Sequence, residues 1–90
     1  MTNTIVKLIS RMAADHADTD FLEREYADLL LLGRRMKARE DLEEEEKDAV
    51  CERQTAKYRM LSAYYQALED LQYISRPEHQ QLQEELEGTL

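Results

Sequence analysis

Turn-forming residues are scarce in this chain, and that scarcity limits its fold more than any other feature. The 90 residues include only 2 Gly and 1 Pro. A β protein needs a turn roughly every 8 to 12 residues, and turns are built largely from Gly, Pro and Asn. The strong helix formers Ala, Leu, Glu, Gln, Arg, Lys and Met dominate instead. The sequence therefore predicts an all-α fold.

Apolar spacing divides the chain into four predicted helices within a single domain, residues 1–90. Apolar positions recur at i, i+3, i+4 and i+7, the spacing that lines one face of a helix. The predicted helices span residues 3–14, 20–38, 41–75 and 77–87. Gly33 is a possible stop for the second helix. Ser75, Pro77 and Glu78 resemble a capping box with Pro in the first turn of the fourth helix.

The length of the third predicted helix indicates an elongated molecule. At about 1.5 Å per residue it would measure roughly 50 Å, whereas a compact globule of this size spans about 30 Å. We therefore expect an elongated, hairpin-like protomer of three to four helices, in which the first two helices together cover one side of the third. The fourth helix has few apolar anchors, chiefly Leu82 and Leu86. We expect the fold to survive removal of that segment.

The apolar residues of the third predicted helix cover an arc of roughly 200°, about twice what one packing partner needs. We therefore expect a second copy of the chain to cover part of the arc, which would give a homodimeric helical bundle. The two edges of the arc are alternative dimer faces, and the pattern does not choose between them. The candidate partner or dimer surface comprises Leu31, Tyr58, Leu61, Tyr64, Tyr65, Leu68 and Leu71.

Two cationic residues, Arg53 and Lys57, fall inside this apolar arc. Their long stems can lie on apolar surface while the charged heads stay in water. Alternatively, the heads meet acids such as Glu25 or Asp28 of the second helix, or a partner chain, and set register or specificity. The sequence leaves both arrangements open.

A block of cations followed by carboxylates marks the connection between the second and third helices. In a continuous helix Lys37 would meet Asp41, and Glu43 would meet Lys47, each pair contributing a few tenths of a kcal/mol. The segment is either a solvated, self-neutralising tip or a bipolar docking surface at the end of the hairpin. The residues of this candidate charged docking tip are Arg34, Arg35, Lys37, Arg39, Glu43, Glu44, Glu45 and Glu46.

No pattern in the chain predicts catalysis. His16 and the nearby aspartates could chelate a divalent ion only loosely, and neither histidine belongs to a Glu-x-x-His or His-x-x-x-His pair. Cys51 has no histidine at a useful local spacing, and the chain has no Gly-rich phosphate loop. We therefore expect no enzyme, no cofactor and no metal site.

The formal net charge of −8 favours basic protein surfaces over nucleic-acid phosphates or anionic lipid. We expect no direct nucleic-acid binding. Lys7 and Arg11 interrupt the apolar residues near the N-terminus, which argues against a signal peptide or a membrane span. Together with the single cysteine, this predicts a cytoplasmic location.

Three functional hypotheses follow. The first is a non-catalytic protein–protein interaction module, such as a small adaptor, chaperone or inhibitor, that grips another protein with a helical face. The second is an acidic nucleic-acid mimic, or a modulator of a DNA-handling protein. The third is a structural oligomer subunit. Salt dependence separates the first two, because the affinity of a mimic should fall steeply with ionic strength.

Overall fold

The computed structural model describes the backbone of residues 3–89 and their side chains, apart from those of Asn3 and Arg39. Met1, Thr2 and Leu90 lie outside the described residues. The described elements are α1 (Asn3–Ala14), α2 (Asp20–Lys37), a 3₁₀ turn (Arg39–Asp41), α3 (Glu44–Asp70) and α4 (Arg76–Glu87). Residues 3–89 contain no strand, so the predicted all-α fold is confirmed.

The third helix is shorter at both ends than the predicted span of residues 41–75. At its start, the 3₁₀ turn and the extended backbone of Glu43 delay the helix until Glu44. At its end, Gln72 adopts a left-handed φ of 61°. The backbone N–H of Tyr73 then donates to Leu68 O at 2.9 Å, and that of Gln72 to Glu69 O at 2.8 Å. This pair of hydrogen bonds is a Schellman motif, which ends the helix by satisfying its last carbonyls.

The first helix ends in the same way. His16 has a φ of 61°, the backbone N–H of Ala17 donates to Met12 O, and that of His16 donates to Ala13 O. By contrast, α4 begins as its sequence predicts. The Ser75 hydroxyl accepts a hydrogen bond from the backbone N–H of Glu78, and Pro lies in the first turn.

The two longest helices, α2 and α3, pack against each other as an antiparallel pair. The rings of Phe21 and Tyr64 lie 5.5 Å apart, and Asp28 contacts Lys57 further along both helices. Residue numbers rise on α2 as they fall on α3, which is the antiparallel arrangement. The 27 residues of α3 extend about 40 Å, close to the longest dimension of the molecule, 43 × 21 × 20 Å. The expected elongated hairpin is present.

The fourth helix packs antiparallel to α3 and lies beside α2, whose Gly33 approaches Thr89 at the end of α4. The Ser62 hydroxyl donates to Gln83 Oε1 at 2.9 Å, and Gln54 Nε2 donates to Thr89 O at 3.4 Å. Both edges of the apolar arc of α3 are therefore covered within one chain, one by α2 and the other by α4. The expectation that its wide apolar arc needs a second chain loses its premise, because α4 supplies the second neighbour.

The first helix does not continue α2 along α3, contrary to expectation, but folds back and packs antiparallel to α4. The backbone N–H of Thr4 donates to Glu85 Oε1 at 3.2 Å, and Arg11 pairs with Glu78 at 3.2 Å. The reason is the Schellman turn at the end of α1, which reverses the chain before α2 begins.

All four helices contribute to one core, whose buried members are Ile5, Leu8, Met12, Leu22, Tyr26, Leu29, Leu61, Tyr65, Ile74, Leu82 and Leu86. Leu82 and Leu86 of α4 are almost completely buried. The expectation that α4 is dispensable is therefore at odds with the packing, because two anchors suffice when both lie at the centre of the core.

Across residues 3–89 no helix is both long and apolar enough to cross a bilayer.

Tyr65 and Gly33 show how closely α4 approaches its neighbours. The Tyr65 hydroxyl is buried, as is Oε2 of Glu85, and neither atom has a hydrogen-bond partner among the described residues. Burial raises the pKa of Tyr65. Gly33 lies inside α2 and does not stop it. A Cβ there would come within 2.9 Å of the Thr89 carbonyl oxygen, so the glycine permits a close approach between α2 and the end of α4.

Candidate functional site

The predicted partner surface is divided by the fold. Leu61 and Tyr65 are fully buried, so these two side chains cannot form part of an exposed surface on this protomer. They lie at the centre of the α3 face that α2 and α4 cover. Tyr58, Tyr64 and Leu68 are half-buried and pack against the core.

Only two members of the predicted partner surface are largely exposed. Leu31 is 54% exposed on α2, and Leu71 is 77% exposed at the C-terminal cap of α3. Leu31 lies beside Arg53 and Lys57, which are four or five turns of α3 away from Leu71, or about 25 Å. The fold therefore does not bring the two exposed leucines together.

Leu31 forms part of a groove between α2 and α3. The residues contributed by α2, which are Asp28, Leu31, Leu32 and Arg35, follow the i, i+3, i+4, i+7 spacing of one helix face. Arg53 and Lys57, one turn apart, form the α3 wall. We call this the α2/α3 groove. Its volume is about 380 Å³, and its lining combines three cations, one carboxylate and two leucines.

Lys57 is fixed in the wall of the α2/α3 groove. Its Nζ lies 2.6 Å from Glu25 Oε2 and 3.2 Å from Asp28 Oδ2. The hydrogen bond to Glu25, supported by Asp28, raises the pKa of Lys57 despite partial desolvation. Arg24 Nε lies 3.6 Å from the other oxygen of Glu25. Of the two arrangements that the sequence leaves open for Lys57, pairing with Glu25 and Asp28 is therefore confirmed.

Arg35 and Arg53 differ from Lys57. Both are exposed, and neither forms an ion pair with any other described side chain. A guanidinium presents a planar set of donors that matches a carboxylate. The α2/α3 groove thus offers two free cationic heads beside an exposed leucine, while its third cation is already neutralised.

The charged tip is built differently from a continuous helix. Because α2 ends at Lys37 and a 3₁₀ turn follows, Lys37 and Asp41 no longer share a helix face, and the predicted pair between them is not formed. Instead, Lys47 lies 3.7 Å from Glu44, the one ion pair of the tip among its described side chains. The side chain of Arg39 lies outside the described residues. The other members, Arg34, Arg35, Lys37, Glu43, Glu44, Glu45 and Glu46, are exposed.

The positions of the tip charges have a structural explanation. Arg34, Arg35 and Lys37 occupy the last turn of α2, and Glu44, Glu45 and Glu46 occupy the first turn of α3. Cations at a helix C-terminus and carboxylates at an N-terminus both stabilise the helix through its dipole. The two helix ends therefore account for most of the charge pattern of the tip without a binding partner.

A second groove, between α1 and α2, is missing from the sequence-based predictions. Its volume is about 290 Å³, and it is lined by Ile5, Val6, Ile9, Glu23, Tyr26, Ala27 and Leu30. Val6 is 48% exposed and Leu30 is 42% exposed. Val6 lies off the apolar stripe of α1, and Leu30 lies at the border of the α2 stripe. Their exposure depends on the angle between the two helices, which apolar spacing does not specify.

The groups considered for metal or nucleophilic chemistry are dispersed. Within the described part of the chain, no three His, Cys, Asp or Glu side chains converge on a point that could hold a metal ion. His16 is exposed at the left-handed end of α1, and Cys51 is an exposed free thiol. His79 Nδ1 lies 2.8 Å from Glu69 Oε1, where it joins α4 to α3.

Comparison with known proteins gives no relative: the chain matches no protein-family model, no curated protein and no solved structure. Its function is therefore inferred from the geometry of its own grooves.

Proposed function

We propose that this chain is a non-catalytic protein-binding module that holds an acidic, amphipathic helical segment of another protein in the α2/α3 groove. One observation carries the proposal. An exposed leucine, Leu31, lies beside two guanidinium groups, Arg35 and Arg53, that have no ion pair among the described residues, in a chain whose net charge is −8.

The chemistry of the groove selects the kind of partner. An apolar position flanked by arginines matches a helix that carries an apolar stripe bordered by carboxylates, the helix-in-groove mode of recognition. Arginine is also enriched among the residues that dominate binding energy, provided that it is desolvated on binding. Lys57 contributes mainly to the shape of the groove wall, because Glu25 and Asp28 already neutralise its charge.

A protein partner fits this groove better than a nucleic acid does. Two free cations provide a small phosphate footprint, and the overall negative charge repels phosphates. Among the described side chains, none that lines the groove is aromatic and could stack on a base. The acidic nucleic-acid mimic and the structural subunit remain untested predictions. We further propose that the module acts in the cytoplasm, since its single cysteine forms no disulfide within the chain.

Site-specific photo-crosslinking in the native host tests the proposal. A photoreactive residue at Leu31 should capture a partner that the same residue at Leu71, an exposed leucine outside the groove, does not capture. Arg53→Glu should abolish the capture, whereas Arg59→Glu, on the outer face of α3, should preserve it. The captured segment should be acidic, and its binding should weaken as salt is added. Equal capture at Leu31 and Leu71, or a basic captured segment, would contradict the proposal.

A further inference from the structure

The side of α2 that faces away from the α2/α3 groove carries a separate, regular pattern. Glu23, Ala27, Leu30 and Arg34 follow one another at i, i+4, i+7 and i+11, which places them on one face over three turns. All four are exposed. We call them the α2 seam. Alternating spacings of four and three are those of helices that pack side by side.

The groove between α1 and α2 adjoins the α2 seam. Val6, nearly half exposed, lies across the groove from Ala27 and Leu30. The apolar part of the seam is therefore continuous with apolar surface on α1. A partner seated on the seam would cover Val6 as well as Leu30, two of the largest exposed apolar side chains on this side of the molecule.

The charges of the α2 seam are complementary to themselves. When a second α2 runs antiparallel about a two-fold axis midway between Ala27 and Leu30, the positions align as 23 with 34 and 27 with 30. Glu23 of each copy then faces Arg34 of the other, and the small Ala27 faces the larger Leu30. Neither Glu23 nor Arg34 has an ion pair among the described side chains. Both are therefore available for pairing between chains.

We propose that the occupant of the α2 seam is a second copy of this chain, in an antiparallel two-fold dimer with α2 against α2. A two-fold interface is formed by the same patch on both subunits, and the seam satisfies this condition because its charges and sizes match when its order is reversed. The proposal does not depend on the function proposed above. It uses a different face of α2 and leaves the α2/α3 groove of each copy open.

This dimer differs from the one that the sequence predicts. The predicted dimer used the wide apolar arc of α3, and α4 of the same chain covers that arc. The α2 seam is a smaller surface than that arc, and small interfaces give weak, reversible association. We therefore expect a monomer–dimer equilibrium that favours the dimer at about 100 µM and dissociates on dilution.

Sedimentation equilibrium of the full chain tests which face is used. The wild type should reach a dimeric mass at about 100 µM, and Leu30→Glu should reduce it to a monomer at the same concentration. Leu31→Glu is the matched control, since it places the same charge on the adjacent residue but on the groove side of α2. It should leave the dimer intact. A monomeric wild type overturns the proposal, as does a dimer that Leu31→Glu disrupts and Leu30→Glu does not.

Charge reversal tests the antiparallel register. Glu23→Arg alone and Arg34→Glu alone should each weaken self-association at least about tenfold, because each places two like-charged pairs at the interface. A mixture of the two variants should recover a heterodimer, since Arg at position 23 of one chain then faces Glu at position 34 of the other, and the second pair is likewise complementary. Two variants that remain monomeric after mixing overturn this register.

Folding controls keep these results interpretable. Leu30, Glu23 and Arg34 are all exposed, so each variant should retain the helical circular dichroism and cooperative melting of the wild type. The proposed function and the dimer fail separately. Loss of crosslinking at Leu31 with an intact dimer rejects only the first, and a monomeric wild type that still captures an acidic partner rejects only the second.

Discussion

Lys57→Met should destabilise the protein far more than Arg53→Met, although both substitutions remove a cation from the same wall of the α2/α3 groove. Lys57 donates to Glu25 at 2.6 Å, and the Glu25 side chain is only 9% exposed. Losing one partner of a fully buried ion pair costs about 3–5 kcal/mol. The Lys57 side chain is 23% exposed, and Arg24 stands near Glu25, so solvent and a second cation reduce the loss. We expect about 2 kcal/mol, the range of a hydrogen bond to a charged group.

Urea denaturation followed by circular dichroism measures the difference. For a domain of this size, 2 kcal/mol corresponds to a fall in melting temperature of roughly 10 °C. Arg53→Met, which breaks no ion pair among the described residues, should change the free energy of unfolding by less than about 0.5 kcal/mol. A double-mutant cycle with Glu25→Gln should give a coupling of about 1 kcal/mol or more. A coupling near zero would show that the short contact does not stabilise the fold.

The effect of pH on this difference has a definite sign. The pKa of Lys57 is raised above its ordinary value of 10.5 in the folded state. A raised pKa means that the stabilisation is fully present below the unfolded-state pKa and is lost as pH rises through the folded-state pKa. The gap between wild type and Lys57→Met should therefore stay constant from neutral pH up to about 9 and shrink above the ordinary value. A gap that widens with alkaline pH would refute this origin.

Three further sites test how the helices end and how the core is filled, each by denaturant unfolding. Gln72→Gly should stabilise the protein by about 0.5–1 kcal/mol, because glycine adopts a left-handed φ without steric cost. As a control, Gln80→Gly in the exposed middle of α4 should destabilise the protein by about 1 kcal/mol. Tyr65→Phe should be neutral or stabilising, because it removes a buried hydroxyl without a partner among the described residues. Tyr58→Phe, by contrast, loses two hydrogen bonds and should destabilise the protein by about 1 kcal/mol. Leu82→Ala should cost about 2–5 kcal/mol, and a loss below 1 kcal/mol would restore the expectation that α4 is dispensable.

Features of the sequence that act locally predicted much of this structure. The scarcity of Gly and Pro gave the fold class, and Ser75 with Pro77 gave the start of α4. The pairing of Lys57 with acids of α2 was one of two predicted arrangements, because a lysine inside an apolar arc must either extend to water or find a carboxylate.

Features that depend on tertiary packing or on rare backbone conformations were less predictable. His16 and Gln72 adopt left-handed conformations that non-glycine residues seldom take, so no residue type signalled the turns at which α1 and α3 end. The burial of Leu61 and Tyr65 depends on α4, whose two leucines form a weak apolar pattern in the sequence and yet lie in the core. The α1/α2 groove depends on how the two helices diverge, which no local pattern specifies.

The antiparallel contact between α1 and α4 has a consequence for the order in which the chain folds. Thr4 and Glu85 lie 81 residues apart in sequence, whereas Glu25 and Lys57 lie 32 apart. Loop closure grows more costly with separation, by about 0.6 kcal/mol for each doubling. A hairpin of α2 and α3 can form from the nearer contacts, and its formation places the start of α2 beside the end of α3, so that α1 and α4 are each held to it by one short connection.

Folding would then proceed from the middle of the chain outwards. In the reverse direction, α1 and α4 could separate from the hairpin as one cooperative unit while α2 and α3 stay paired, a partial opening of the kind that native-state hydrogen exchange detects. Such an opening would bring Leu61 and Tyr65, which are fully buried in the closed bundle, into contact with solvent.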